Sequence, residues 1–128
     1  MPQLPPFPSV FPVWWVAGTA LVGVVVSLIV LWANGRWGKV AVYPSAESIV
    51  VAVVVGLSIL AWRLSGNIAE LNEDPIGALS PNDWLCPVVT YMFLGIYAAF
   101  RPPRSPAGWP RLRALLTIGS FLVNVVTI

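Results

Sequence analysis

The sequence predicts an all-α integral membrane protein, a bundle of four transmembrane helices (three in the alternative reading) behind a proline-rich N-terminal arm. Of its 128 residues 58% are hydrophobic and only 9% are charged, whereas soluble domains carry about 25% charged residues. Its long apolar runs lack strand alternation, and only helices or closed barrels can cross lipid. We therefore expect two parts, an extended arm over residues 1–12 and a transmembrane helical domain over residues 13–128.

The arm, MPQLPPFPSVFP, contains five prolines and no charged residue. Because proline lacks an amide hydrogen and fixes φ, the arm is predicted to be extended rather than helical. It has neither the basic start nor the small-residue cleavage site of a secretory signal peptide. Phe7 and Phe11 favour contact with the membrane interface or with a partner subunit.

The first predicted span covers residues 13–33, a run without any charged residue. An α-helix rises about 1.5 Å per residue, so a run of this length reaches about 30 Å, the thickness of a bilayer's hydrocarbon core. The pair Asn34-Gly35 predicts the end of this helix, because both residues favour helix termination.

The second predicted span covers residues 46–64, with Ser45 as its N-cap. We expect Arg63, close to the end of this span, to extend its side chain to the lipid headgroups. The connection that follows, residues 65–83, holds four of the five acidic residues. Such a segment is typical of a solvated loop rather than of a catalytic site.

The third predicted span, residues 81–100, has a strong start signal. Ser80 can cap the helix, Pro81 suits the first helical position, and Asp83 can return a hydrogen bond to the cap. Pro87 lies early enough in this span to be tolerated or to kink the helix slightly.

The last run, residues 112–128, is at the short end of the spanning range and predicts a fourth span, with a re-entrant or interfacial helix as the alternative. The loops 34–45 and 101–113 hold six of the seven Lys and Arg residues. Because cytoplasmic loops are enriched in these residues, both loops are expected in the cytoplasm of a bacterial inner membrane. Both termini are then expected outside.

Tryptophans fall at the predicted span ends or in short loops, where amphipathic rings favour the membrane interface. The predicted interface anchors are Trp14, Trp15, Trp32, Trp37, Trp62, Trp84 and Trp109.

Small residues recur at four-residue spacing and predict close helix packing, with a gating or substrate-lining role as the alternative. The predicted packing residues are Thr19, Gly23, Ser27, Ser48, Ala52, Gly56, Gly95 and Ala99. The last helix has a polar face, for which interhelical hydrogen bonding is favoured over a water or proton pathway. That face comprises Thr117, Ser120, Asn124 and Thr127.

The residues also exclude several kinds of site. Cys86 is the only cysteine, and histidine is absent, so the sequence predicts no disulfide within the chain and no catalytic, metal or side-chain cofactor ligand. No ionisable residue falls in the middle of a span, which argues against ion-coupled transport. A net charge of +2 does not indicate a nucleic-acid partner. Lipid, quinone or pigment held in apolar grooves remains compatible with the sequence.

The stretch GALSPNDWLCPVVTYMFLGIYAAF, residues 77–100, resembles a segment of subunit IV of the actinobacterial-type cytochrome c oxidase. In that family an acidic, Gly-containing loop also leads into a Ser-Pro-x-x-Trp helix start with a proline close behind. The matching positions here are Ser80, Pro81, Trp84 and Pro87. The resemblance covers 24 of the 128 residues and implies a four-helix accessory subunit without redox centres. In that family the acidic loop faces the cytoplasm, whereas the Lys and Arg count here places it outside.

These observations together predict a non-catalytic accessory subunit of a respiratory or photosynthetic membrane complex, with other membrane subunits and lipids as its partners. Two alternatives share its small size and apolar composition: a phage holin-like permeabilising protein and, less favoured, a minimal channel or transporter lined by the polar face of the last helix.

Overall fold

A computed structural model describes residues 11–37, 45–67, 80–103 and 106–127. In this part the chain forms four helices, which run over α1 Val13–Trp37, α2 Ser45–Ser65, α3 Pro81–Phe100 and α4 Trp109–Thr127. Most of the predicted arm (residues 1–10) and most of the acidic connection (residues 68–79) lie outside the described residues.

The four helices form an antiparallel ring. Each helix packs against the next one along the chain, α4 packs back against α1, and α2 also touches α4 across the ring. Val13, Ser65, Pro81 and Thr127 therefore lie at one end, called here the Val13 end. The opposite end, where α4 begins, is called the Trp109 end.

Three of the helices are long and apolar enough to cross a membrane, over Val13–Arg36, Ala46–Ser65 and Pro81–Phe100. Large apolar side chains cover their outer faces; Leu21, Ile29 and Ile96 are each more than half exposed. Water would solvate such a surface poorly, whereas lipid tails or apolar protein surfaces suit it. The all-helical fold is thus consistent with an integral membrane protein.

The core between the helices is apolar along most of its length, with Val16, Val55, Ile59, Leu94 and Leu116 fully buried. Among the described residues, the largest connected group of buried polar side chains is built from α2, α3 and α4, and α1 adds Thr19, Ser27 and Asn34 to the buried polar residues.

Helix α2 begins at Ser45, the residue predicted to cap it, and ends one residue later than predicted. Two other helix boundaries differ from the sequence prediction by more than one residue. Helix α1 continues through Asn34-Gly35 to Trp37, because Asn34 is 9% exposed within the bundle and a helical glycine costs only about 1 kcal/mol. Helix α4 begins at Trp109, so Arg111 and Arg113 lie in its first turns rather than in a loop.

The predicted start of α3 is confirmed. Asp83 N–H donates to Ser80 Oγ at 3.3 Å and Ser80 N–H donates to Asp83 Oδ2 at 2.8 Å, with Pro81 in the first turn. This reciprocal capping box satisfies two amide donors that a helix start leaves unpaired.

Candidate functional site

Six buried polar side chains from three helices bond to one another and are called here the polar cluster. Each of the six is at most 2% exposed. They are Ser58 and Arg63 of α2, Asp83 and Thr90 of α3, and Ser120 and Asn124 of α4. The polar cluster begins near the Val13 end and reaches the middle of α3, where Thr90 lies.

Arg63 is the charged centre of the polar cluster. Its Nη2 forms an ion pair with Asp83 Oδ1 at 2.9 Å, and its Nε donates to Asn124 Oδ1 at 2.7 Å. With 1% of its surface exposed, Arg63 does not extend to the headgroups as the sequence predicted. A neighbouring carboxylate and amide in a low-dielectric interior stabilise the guanidinium there, which explains the inward course of the side chain.

Helix periodicity places Arg63 on the inner face of α2. Val51, Val55 and Ile59 precede it at four-residue spacing, and each is 0% exposed. Residues at this spacing share one helix face, so Arg63 continues the buried stripe. This signal is present in the sequence, but it does not distinguish a buried arginine from one that extends away from the end of the stripe.

Asp83 takes part both in the ion pair with Arg63 and in the capping box of α3. Its Oδ1 accepts from Arg63 Nη2, while its Oδ2 accepts from Ser80 N–H in the capping box of α3. The sequence predicted the capping role but assigned Asp83 to a solvated connection, whereas the side chain is buried. Its second partner comes from α2, twenty residues earlier in the chain, and sequence-local reasoning does not find it.

Thr90 joins three helices at the middle of the bundle. Its Oγ1 lies 2.8 Å from Ser58 Oγ and 2.8 Å from Ser120 Oγ, and it also bonds to the Cys86 carbonyl oxygen at 3.2 Å. Asn124 Nδ2 donates to the Ser120 carbonyl oxygen at 2.7 Å. The hydroxyl groups and the ion pair are therefore linked through α4.

The predicted polar face of the last helix divides between different surroundings. Ser120 and Asn124 belong to the polar cluster. Thr127 Oγ1 donates to Thr19 Oγ1 of α1 at 3.2 Å. Thr117 is half-buried, and its hydroxyl donates to the Arg113 carbonyl oxygen of its own helix. Two of the four residues therefore face the bundle interior.

Most of the predicted packing residues lie at helix contacts. Thr19, Ser27 and Ala52 are at most 2% exposed. A Cβ atom at Gly23 would lie 2.5 Å from Ile59 Cδ1, and one at Gly56 would lie 3.2 Å from the Ala20 carbonyl oxygen. These two glycines bring the backbones of α1 and α2 together.

The remaining packing residues differ. A Cβ at Gly95 would collide with the Arg113 guanidinium, and Ser48 is half-buried. Ala99 is exposed and lies one residue before the end of α3, so it does not take part in close packing.

The tryptophans occupy three kinds of position. Trp14, Trp15, Trp32 and Trp84 are exposed by 42–69%. Trp62 is half-buried and donates from Nε1 to Asn82 Oδ1 at 2.9 Å. The side chain of Trp37 lies outside the described part of the chain.

Trp109 is buried in the core with 9% of its surface exposed, so its ring packs inside the bundle rather than on its outer surface. It lies in the first turn of α4, and Leu112 and Leu116 follow it on the same buried face. The sequence-based boundary placed Trp109 in a loop, which hid this periodicity.

The Val13 end is closed by polar contacts to backbone. Asn67 Oδ1 accepts from Phe11 N–H at 2.9 Å, and Asn67 Nδ2 donates to the Phe11 carbonyl oxygen at 2.7 Å. Trp15 Nε1 donates to the Thr127 carbonyl oxygen at 2.9 Å. These bonds fix the start of α1 against the ends of α2 and α4.

The chemistry open to the polar cluster is limited. Among the described residues no three His, Cys, Asp or Glu side chains lie close enough together to hold a metal ion. The carboxylate of Asp83 is occupied by Arg63 and by the helix cap. The polar cluster's side chains thus bond to one another and connect α2, α3 and α4.

Comparisons with protein-family models, with curated proteins and with solved structures found no match to this chain.

Proposed function

We propose that this chain is a non-catalytic structural subunit of a larger energy-transducing membrane complex, embedded among other membrane subunits and lipids. The observation that carries the proposal is the polar cluster, whose charges and hydroxyl groups bond to one another inside the bundle. These polar groups therefore connect the chain's own helices, and its apolar outer faces are left for neighbours.

The buried ion pair supports a structural role. Arg63 and Asp83 carry opposite charges at 2.9 Å, and Asn124 satisfies a further guanidinium donor. Such a pair adds specificity to helix pairing more than it adds stability. In a bundle whose helices otherwise present similar apolar surfaces, it fixes which faces of α2, α3 and α4 meet.

The outer surface supports embedding in a larger assembly. A groove between α1 and α2, about 390 Å³ in volume, is lined by apolar residues, among them Ala17, Leu21, Gly56 and Leu60. Grooves of this kind suit a partner helix, a lipid tail, or the apolar part of a quinone or pigment, none of which requires a side-chain ligand.

The resemblance of residues 77–100 to the oxidase accessory subunit supports a parent complex in respiratory or photosynthetic electron transport. It is carried by the helix start at Ser80 and Pro81 and by Trp84 and Pro87 behind it.

The charge distribution supports an inner-membrane orientation with the Trp109 end in the cytoplasm and both termini outside. Arg36, Arg101 and Arg111 are exposed at that end, while Arg63 near the Val13 end is paired with Asp83. The positive-inside rule favours this orientation if α4 crosses the membrane as a fourth span.

Purification of the tagged chain from its native membrane in mild detergent tests the proposal. We expect it to co-purify with other membrane subunits in a stable complex whose absorption spectrum contains haem or chlorophyll bands. Isolation of the chain as a stable free monomer, with no associated subunits, would overturn the proposal.

A minimal channel is the second candidate, because the polar cluster links Asp83 near one end to Thr90 in the middle of the bundle. Reconstitution of the pure chain into liposomes separates the two functions. The structural proposal expects no proton or ion flux above that of empty liposomes. Flux that Asn124→Leu abolishes, with the fold intact by circular dichroism, would favour the channel. Rapid loss of membrane potential on induced expression would instead indicate a permeabilising protein of the holin type.

A further inference from the structure

A second groove lies on the outer face of the bundle, between α3 and α4. It measures about 340 Å³, and its lining is apolar and aromatic apart from Thr117. Trp84 and Phe121, whose ring centroids are 5.1 Å apart, line its part nearer the Val13 end, and Val88 and Ile118 line its middle. Tyr91 lines the part nearer the Trp109 end. The groove is called here the α3–α4 groove.

Arg113 lies against the same Tyr91. Its guanidinium carbon is 3.4 Å from the centroid of the Tyr91 ring. Its Nε and Nη2 both donate to the Tyr91 carbonyl oxygen, at 2.9 Å and 2.6 Å. Gly95 leaves the space that the guanidinium occupies, because a Cβ there would collide with it. Tyr91 thus joins a fixed cation to the end of an apolar groove.

The depth of the Arg113 guanidinium along the helices favours a bound anion as its counter-charge. Both residues lie some way in from the Trp109 end. Arg113 comes four residues, about 6 Å, after the start of α4, and Tyr91 comes nine residues, about 13 Å, before the end of α3. A charge on the lipid-facing side of a membrane helix is costly at such depth unless it is paired. The described carboxylates are those of Glu47 and Asp83. Asp83 is paired with Arg63, and no ion pair joins Glu47 to Arg113. The Tyr91 carbonyl oxygen provides only a partial negative charge.

We propose that Arg113 and the α3–α4 groove form a binding site for one anionic phospholipid. The phosphate group binds the guanidinium of Arg113 on the side that Tyr91 does not occupy, and an acyl chain lies in the groove. Arg101 and Arg111 are exposed at the same end and attract an anionic headgroup towards it. This inference rests on the membrane location in the proposed function, but not on the identity of the parent complex.

Native mass spectrometry of the full, delipidated chain in mild detergent tests the site. The chain is titrated with phosphatidylglycerol or with phosphatidylcholine of the same acyl chains. We expect one phosphatidylglycerol to bind preferentially, and Arg113→Gln to weaken that binding about tenfold, or about 1.4 kcal/mol. Phosphatidylcholine should bind more weakly and respond little to the substitution.

Arg36→Gln is the matched control, because it removes an equal charge from an exposed arginine that stacks on Trp32 instead. It should leave phosphatidylglycerol binding unchanged. Ile118→Trp fills the groove while Arg113 stays in place, and it should weaken phosphatidylglycerol binding as well. If Arg113→Gln fails to fold, Ile118→Trp and Arg113→Lys, which keeps the charge but loses the two-nitrogen contact, still test the site.

Three results would overturn the inference. The first is equal binding of the two lipids, and the second is an equal loss of binding in Arg113→Gln and Arg36→Gln. The third is unchanged phosphatidylglycerol binding in Arg113→Gln. If the same variant also releases a partner subunit from the native complex, a partner's carboxylate is the anion. Since the titration uses the isolated chain, its result and the outcome of the co-purification experiment can be told apart.

Discussion

An arginine in the interior of the bundle and an arginine on its outer face have different partners. Inside, Arg63 is 1% exposed and is paired with Asp83 and Asn124. On the outer face, Arg113 is half-buried and is held by the ring and the carbonyl oxygen of Tyr91. The first cation has its counter-charge within the fold, whereas no described residue provides one for the second.

This difference distinguishes a charge that supports the fold, that of Arg63, from a charge that is available for binding, that of Arg113. Removal of one partner from a closed, buried pair leaves an uncompensated charge in a low-dielectric medium, so the whole fold should respond. Removal of a cation whose counter-ion is external should change binding more than folding. Interior and outer-face substitutions should therefore differ in their effect on the free energy of unfolding.

The largest effect is expected for Asp83→Asn. It removes the carboxylate charge while keeping the shape, and it leaves Arg63 buried without its counter-charge. We expect the free energy of unfolding to fall by about 3–5 kcal/mol, measured by titrating the detergent-solubilised chain with sodium dodecyl sulfate and following circular dichroism.

The double variant Arg63→Met with Asp83→Asn checks this cause. Without the buried cation, the second substitution should cost much less than it does alone. Additive losses in the double variant would show that the two residues act independently.

A smaller effect is expected for Gly56→Ala at the contact of α1 and α2. The new Cβ would lie 2.5 Å from Val24 Cγ2 and 3.2 Å from the Ala20 carbonyl oxygen, so the helices must separate. We expect a loss of about 1–3 kcal/mol in the same unfolding titration. Gly18→Ala is the control, because nothing lies within 4 Å of a Cβ there. It should be neutral or stabilise α1 by up to about 1 kcal/mol.

Thr90→Val should cost about 1–2 kcal/mol, because it removes the hydroxyl that joins Ser58 and Ser120 and each membrane hydrogen bond contributes about 0.6 kcal/mol on average. Thr117→Val is the matched outer-face control, since that hydroxyl bonds only within its own helix. It should change the unfolding free energy by less than about 0.5 kcal/mol. Equal losses in the two variants would show that the Thr90 contact between helices adds nothing to stability.

The smallest effect on folding is expected for Arg113→Gln. The variant loses two hydrogen bonds and a cation–π contact, but it also removes an unpaired charge from the lipid-facing surface. These contributions oppose each other, so the unfolding free energy should change by less than about 1 kcal/mol. A loss as large as that of Asp83→Asn would make Arg113 a structural residue and erase the contrast with Arg63.

Individual residues show how far sequence reasoning reached. The capping box of Ser80 and Asp83 was predictable because its partners are three residues apart, and helix geometry alone brings them together. The Arg63–Asp83 pair was missed because its partners belong to different helices. The contact of Trp109 with the core was missed because the start of α4 was placed three residues too late.

The sequence by itself determined the helices, their apolar character and the start of α3, because hydrophobic periodicity, length and capping act over one helix at a time. The tertiary structure decided which polar residues meet and which of the two arginines is enclosed. Those outcomes depend on how α2, α3 and α4 are rotated against one another, and that rotation is set by packing across the whole bundle.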